Sequence, residues 1–324
     1  MRAPRVSILM PVYNAAQHLG SAIESVVAQD FTDWEMVAVD DGSTDSSPGI
    51  LARWAKRDPR IRVIANASNK GQTACLNQGL AECCADWIAR QDADDLSHPG
   101  RLASQWHYLE DHPDTVLLGT QGVLIDDRGV RIGLLDVPED AASIAWSAPF
   151  LNPFLHTAVM FRRDIVTSAG GYDKNFRIAQ DYELWTRLAA DHATANLSGH
   201  LVSYRHAETS LSKTGRELAF EESDRVSNRE AARLFRRLWR TEEKELVAGF
   251  RRGALEVSEQ KRFWRIIAAL ELETGKPIPR RLRAVWHLRL AGSSRRVSAA
   301  EVFAACQADS VFAARWLIRR FAGF

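Results

Sequence analysis

An α/β fold, with a mixed, mainly parallel central sheet followed by a C-terminal helical region, is what this 324-residue chain predicts. Three observations carry that prediction. From residue 5 to about 120, short β-branched runs alternate with segments of helical period. Beyond residue 215 the period is helical and arginine is frequent. Charge divides at the same place: the formal net charge is +1, yet residues 216–324 carry 23 basic and 14 acidic side chains, net +9, leaving residues 1–215 at net −8. Two domains are expected, 1–215 and a basic helical 216–324. With 46 % hydrophobic and 26 % charged residues, a predominantly disordered chain, a collagen and a coiled coil are excluded.

Each element has its own signal. Strands are expected over 5–12, 35–40, 61–65 and 86–91. The first helix, 19–29, carries Leu19, Ile23, Val26 and Val27 on one stripe. The second begins at Ser46-Ser47-Pro48, a hydroxyl cap followed by a proline where a helix tolerates one, and runs to about 56. A third covers 72–83. Farther on come a hairpin turn at Asp126-Asp127-Arg128-Gly129, a strand over 156–161, a turn at Gly170-Gly171 and a helix over 178–190. No apolar run reaches the ~18 residues of a spanning helix, and Pro11 within the first run argues against a secretory signal. Cys75, Cys83, Cys84 and Cys306 lack paired metal spacing, so reduced thiols in a cytoplasmic protein are expected.

In such sheets ligands bind at the carboxyl ends of the strands. There the sequence places Tyr13-Asn14, Asp40-Asp41-Gly42-Ser43-Thr44-Asp45, Asn69-Lys70-Gly71 and Asp92-Ala93-Asp94-Asp95. Oxygen-rich loops suit Mg²⁺ or Mn²⁺ on a phosphorylated ligand. If the chain stays extended after the fourth strand, Asp92 and Asp94 share a side and Asp95 points away, which favours Asp94, helped by Asp92, as metal ligands. Taken alone, each acidic loop reads equally well as a turn with a capping carboxylate.

These loops, with Leu76-Asn77-Gln78-Gly79-Leu80, His156-Thr157-Ala158-Val159-Met160-Phe161-Arg162, Gly170-Gly171-Tyr172-Asp173 and Ala179-Gln180-Asp181-Tyr182-Glu183-Leu184-Trp185, resemble the GT-A glycosyltransferases of family 2 over about residues 5–215. The resemblance implies an inverting transfer from a nucleotide sugar, a UDP-sugar first among them, to a saccharide or lipid-linked acceptor in surface polysaccharide assembly. It implies that Pro11, Tyr13 and Asp41 hold the nucleotide base, with Asn14, Lys70 and His206 lining the donor. Asp92 and Asp94 then bind ribose and, through the metal, the diphosphate. The family's base lies in an acidic pair opening a helix. This chain has Gln180-Asp181, so Asp181 is the base and the pair's first carboxylate is missing. Helical spacing also puts Asp181 on the buried stripe with Leu184, Trp185 and Leu188, and Glu183 on the far side in a solvated pair with Arg187. His156 reads more readily as a structural hydrogen bonder than as a ligand, and Trp185 as core; Trp106 or Trp146 stacking on a sugar is a weaker reading.

Two other functions are weighed. A sugar-phosphate nucleotidyltransferase would want a glycine-rich basic loop after the first strand, which Tyr13-Asn14-Ala15-Ala16 is not; a non-catalytic nucleotide-binding scaffold draws only on Gln180. In the tail, Leu234, Phe235, Leu238 and Trp239 interleave with Arg233, Arg236, Arg237 and Arg240, and the pattern recurs around Leu282 and Trp286 and around Phe312 and Trp316. Such helices suit an anionic membrane surface at its inner, cytoplasmic face, or equally a helical subdomain with solvated arginines. No motif supports nucleic-acid binding.

Overall fold

The computed structural model describes residues 3–206, 215–235, 241–252, 255, 257–275, 277–280, 282–283 and 286–287; Cys306 and the expectations placed on 207–214, 236–240 and 288–324 lie outside them. The described residues divide into two compact units: Met1–Ala141 with Pro153–Glu222, and Ala142–Asn152 with the chain from Ser223.

The first unit opens with a right-handed β/α alternation: β1 (Val6–Val12), α1 (Leu19–Val27), β2 (Trp34–Asp40), α2 (Ser47–Arg57), β3 (Ile61–Ala65), α3 (Gln72–Glu82) and β4 (Trp87–Arg90). Then come β5 (Leu96–Ser97), α4 (Arg101–Asp111) and the hairpin of β6 (Thr115–Ile125) with β7 (Arg131–Leu135). After α5 (Ala141–Ser147), β8 (Met160–Arg162), α6 (Arg163–Ser168), α7 (Gln180–Asp191) and β9 (Ala193–Arg205) follow. The strands form one sheet in the order β3-β2-β1-β4-β8-β6-β9-β5, with β7 beside β6. β3, β2, β1 and β4 are parallel; β8 runs against β4 and β6. The strand expected over 156–161 begins instead as a 3-10 turn, His156–Ala158, because this stretch turns aside to bring His156 and Thr157 to the end of β4.

All seven residues of β1 are buried, as a central parallel strand covered on both faces requires. α1 buries Leu19, Ala22, Ile23 and Val26, the expected stripe with Ala22 in place of Val27. α3 approaches the sheet so closely that a Cβ on Gly79 would stand 2.3 Å from Leu9 Cδ1, which explains a glycine inside that helix. Trp106 tilts against Phe31, their centroids 5.5 Å apart, with Arg5 over its ring, so its faces are committed to packing.

The second unit contains most of α8 (Arg216–Phe235), with α9 (Thr241–Arg252) and α10 (Val257–Thr274). Its core gathers Trp146, Phe150, Phe250, Phe263, Leu282 and Trp286. Trp146 therefore fills a core rather than meeting a sugar. Leu282 and Trp286 likewise face their own unit, as the subdomain alternative expects. Among the described residues no helix is long and apolar enough to cross a membrane.

Candidate active site

The ladder runs one residue past each parallel strand: Asp41 N donates to Val12 O (2.8 Å), Asn66 N to Asp40 O (2.8 Å) and Gln91 N to Leu9 O (3.1 Å). Register then sets Tyr13, Asp41 and Asn66 side by side at one sheet edge. Asn14 adopts a left-handed conformation, φ 47°, which asparagine tolerates better than most residues. Its Oδ1 accepts from Thr44 N (2.8 Å), and its own N–H donates to Ser43 Oγ (3.0 Å). Ala15 N and Ala16 N donate to Ser47 Oγ and Asp45 Oδ2, both at 2.9 Å. The first two loops are thereby stitched together, leaving Tyr13 half exposed while Pro11 is buried within β1.

Asp41 is 3 % exposed and faces the third loop: Oδ1 accepts from Lys70 N (2.8 Å) and Asn66 Nδ2 (3.2 Å), Oδ2 from Gly71 N (2.8 Å). Burial pushes its carboxyl up, but these bonds and one with Cys75 outweigh it and hold the group below its ordinary value. Lys70 Nζ donates to Asn66 Oδ1 at 3.0 Å. The same burial, with Asp41 adjacent, pushes the Cys75 thiol up to about 12, so it is not a thiolate.

After β4 the chain does not stay extended. Asp95 N donates back to Asp92 O at 3.4 Å, a turn that overturns the alternation expected for Asp92, Asp94 and Asp95. Asp95 is buried, accepts from Arg205 N (2.7 Å), and its carboxyl lies well above the ordinary range through burial and its neighbours Asp94 and Asp92. Asp94 is raised to about 6 by burial and then by Asp92. Three arginines stand behind this turn. Arg90, 0 % exposed, donates from Nε to His156 Nε2 (3.1 Å) and from Nη2 to Asp92 Oδ1 (2.6 Å). Arg101, also buried, donates to Ser97 Oγ, Gln91 Oε1 and the carbonyls of Arg90 and Val159. Arg205 spends its guanidinium on the carbonyls of Asp94, Asp126 and Asp127.

His156 accepts from Arg90 and lies 3.3 Å from Tyr172 Oη. Burial and then the Arg90 charge hold it well below its ordinary value, so it is the neutral structural hydrogen bonder expected. His206 is exposed, its N–H donating to Ile125 O at 2.8 Å.

Asp181 lies in the first turn of α7 and is partly exposed. Glu183 corrects the expectation: it is 3 % exposed, not solvated. It does pair with Arg187, at 3.1 and 2.8 Å, but Arg187 also donates to the carbonyls of Ala169 and Gly171, and the Gly170-Gly171 turn covers that face of α7. Gln180 is buried and donates to Gln72 Oε1 at 3.1 Å. Two tyrosines report on the assembly. The Tyr204 hydroxyl is pushed up by burial and then by Asp95, Asp92, Asp94 and Asp181 in turn. Burial likewise raises Tyr172, with Arg90 opposing and Asp181 and Asp92 adding. Asp181 thus acts on the same hydroxyls as the aspartate turn, 86 or more residues earlier in sequence.

Sequence reading missed Arg90, Tyr172 and Tyr204. Arg90 had a signal: a charge following Trp87-Ile88-Ala89 in a central strand must be paired inside. The donor set of the turn is all oxygen, and at nucleotide sites one or two carboxylates with phosphate oxygens suffice for Mg²⁺ or Mn²⁺. Partly buried like charges that raise Asp94 are what a cation relieves, so the residues fit one. Among the described residues no group of three or more histidine, cysteine or acidic side chains is placed to hold a metal ion by itself.

A model of the family described as Glycosyl transferase family 2 matches residues 7–166. The amylovoran biosynthesis glycosyltransferase AmsE of Erwinia amylovora is 34 % identical over 211 residues, 64 % of this chain and 78 % of that one. Among solved structures, S. aureus TarS 1-349 in complex with UDP-GlcNAc superposes with TM-score 0.58 at 16 % identity, covering 98 % of this chain and 91 % of that chain. The mannosyltransferase PcManGT from Pyrobaculum calidifontis, in complex with GDP-Man and Mn²⁺, gives 0.55 at 20 % identity over 99 % and 81 %. The fold is of the expected GT-A type, and the chain belongs to glycosyltransferase family 2.

Proposed function

We propose that this glycosyltransferase inverts the anomeric centre, moving a sugar from a nucleoside diphosphate, UDP or GDP, to a hydroxyl of a saccharide or lipid-linked acceptor in surface polysaccharide assembly. The observation that carries the reading is the aspartate turn at the carboxyl end of β4, with Asp92 Oδ1 accepting from Arg90 Nη2 (2.6 Å) and Asp95 Oδ1 from Arg205 N (2.7 Å). The TarS and PcManGT complexes, with UDP-GlcNAc and GDP-Man, support the donor class.

Tyr13, Asn14, Asp41 and Lys70 form the nucleoside end of the donor site, and His206 lies at its diphosphate end. Asp94, helped by Asp92, would hold Mg²⁺ or Mn²⁺, whose charge neutralises the departing diphosphate. Arg90 keeps Asp92 oriented. Asp181 takes the acceptor hydroxyl's proton as that oxygen bonds to the anomeric carbon. The bond from that carbon to the diphosphate oxygen breaks, and its electron pair leaves with the nucleoside diphosphate. A peripheral membrane position draws on the basic tail, and co-sedimentation of the full chain with anionic vesicles tests it.

Asp181→Asn should lower kcat by about 10³-fold, within the span of general-base contributions, while nucleoside diphosphate affinity with Mn²⁺ stays unchanged. Full transfer by that variant overturns the assignment.

A further inference from the structure

α7 begins without a cap of its own: its N-cap is Ala179, at φ −98° and ψ 26°, whose methyl accepts nothing. The opening N–H groups of a helix need acceptors. Just ahead of them, the N–H groups of Arg177, Ile178 and the N-cap Ala179 are met by a residue 43 to 45 positions away. Glu222, on α8 and 2 % exposed, accepts from Arg177 N on Oε1 (2.8 Å) and from Ile178 N and Ala179 N on Oε2 (2.8 and 2.9 Å). Three successive N–H groups form an anion-binding nest, and the chain fills it with its own carboxylate. Asp181 follows two residues later.

The rest of that segment is pinned as well. Asn77 donates to Tyr172 O (2.8 Å) and accepts from Tyr172 N (2.9 Å), and Thr73 Oγ1 donates to Phe176 O (2.7 Å). Those bonds fix residues 172–176. Glu222 alone, among the bonds described, takes the three N–H groups between that stretch and α7.

We propose that Glu222 is a positioning residue for Asp181, so that the helix following the sheet takes part in acceptor activation. The proposal rests on Asp181 being the base. Both oxygens are in use, so Glu222→Gln must turn an amide NH₂ toward a backbone donor, and the segment shifts. Glu222→Asp keeps the charge but withdraws it by about one methylene.

The experiment uses the full chain with Mn²⁺, UDP-GlcNAc and GDP-Man, reading nucleotide release. Displacing a catalytic group by about 1 Å costs roughly 100-fold, so Glu222→Gln should lose up to that factor in kcat with donor KM within about twofold, and Glu222→Asp should recover part of it. In an Asp181→Asn background, Glu222→Gln should cost nothing further, because it acts through that carboxylate. Hydrogen exchange supplies a readout without turnover: amides 177–179 should lose protection in Glu222→Gln while those of β1 and β2 keep theirs. Unchanged kcat, an equal rise in donor KM, a further loss in the Asp181→Asn background or unchanged exchange at 177–179 each overturns the proposal. Full activity of Asp181→Asn alone, with exchange at 177–179 still sensitive to Glu222, sinks the base assignment instead and leaves Glu222 as the anchor of residues 177–179.

Discussion

Residues 13–16 and 43–47 are joined by five hydrogen bonds, each closing a separation of 29 to 32 residues, the length of one β/α/β unit. Residues 171–179, which deliver Asp181, are held by Thr73 and Asn77 from 95 to 103 residues before and by Glu222 from 43 to 45 after. The donor loops are therefore built by neighbouring units of a repeating architecture. The segment that carries Asp181, the proposed base, is set by parts of the chain with no local relation to it. A site organised this way can vary its acceptor side without disturbing its donor side, since the two share few anchors.

The largest break on the donor side is Arg90→Met. It leaves Asp92, whose side chain is 21 % exposed, without the guanidinium that stood at 2.6 Å. Losing a charged hydrogen bond to a partly exposed carboxylate costs about 1.5–3 kcal/mol, to be measured by urea unfolding of the full chain. A loss under about 1 kcal/mol would mean that the pair behaves as a surface contact and does not organise the aspartate turn.

A matched pair of variants sharpens the comparison. Asn77→Ala removes two bonds to the Tyr172 peptide and should cost about 2 kcal/mol, with kcat falling and donor KM preserved. Asn14→Ala removes the acceptor for Thr44 and places alanine at a positive φ, for about 1–2 kcal/mol, and should raise donor KM instead. If both variants change the same kinetic constant, the donor and base segments are one mechanical unit and the contrast fails.

This contrast also explains what could be read beforehand. Strands over 6–12, 34–40 and 61–65 and the loops after them follow from β-branched runs, glycines and asparagine at turns, all encoded within a few residues. Gly42 illustrates it: at φ +69° a Cβ would stand 2.7 Å from the Ser68 backbone, so an Asp-Asp-Gly turn announces itself. Glu183 is buried against the expectation of its helical spacing because spacing reports angle, not which angle is covered; the Gly170-Gly171 turn that buries it comes from another element. Glu222 had no legible signal, being one glutamate in a polar stretch, Glu221-Glu222-Ser223-Asp224, whose role exists only once α8 meets residues 177–179. Asp92 and Asp94 were paired on a premise of extended chain that the turn at Asp95 removes, and their proposed role now rests on burial and charge instead.

The smallest expected effect concerns His156, which stands between the two sides, bonded to Arg90 and within 3.3 Å of Tyr172 Oη. Its folded value lies well below the ordinary 6.5, first through burial and then through the Arg90 charge. Below pH 6.5 the unfolded chain takes up a proton at this imidazole that the folded chain refuses. The unfolded state then binds more protons, so stability falls as pH falls, by up to about 1.4 kcal/mol per pH unit from this group alone. Above pH 6.5 both states are neutral there and the contribution vanishes. His156→Gln keeps an acceptor for Arg90 Nε and has nothing to titrate. Urea unfolding between pH 5 and 7.5 should therefore show a shallower acid limb for the variant, with the two curves parallel above pH 7. Equal acid limbs would mean that burial and the Arg90 charge do not hold the imidazole neutral, and that the link between Asp92 and Tyr172 is not fixed in one protonation state.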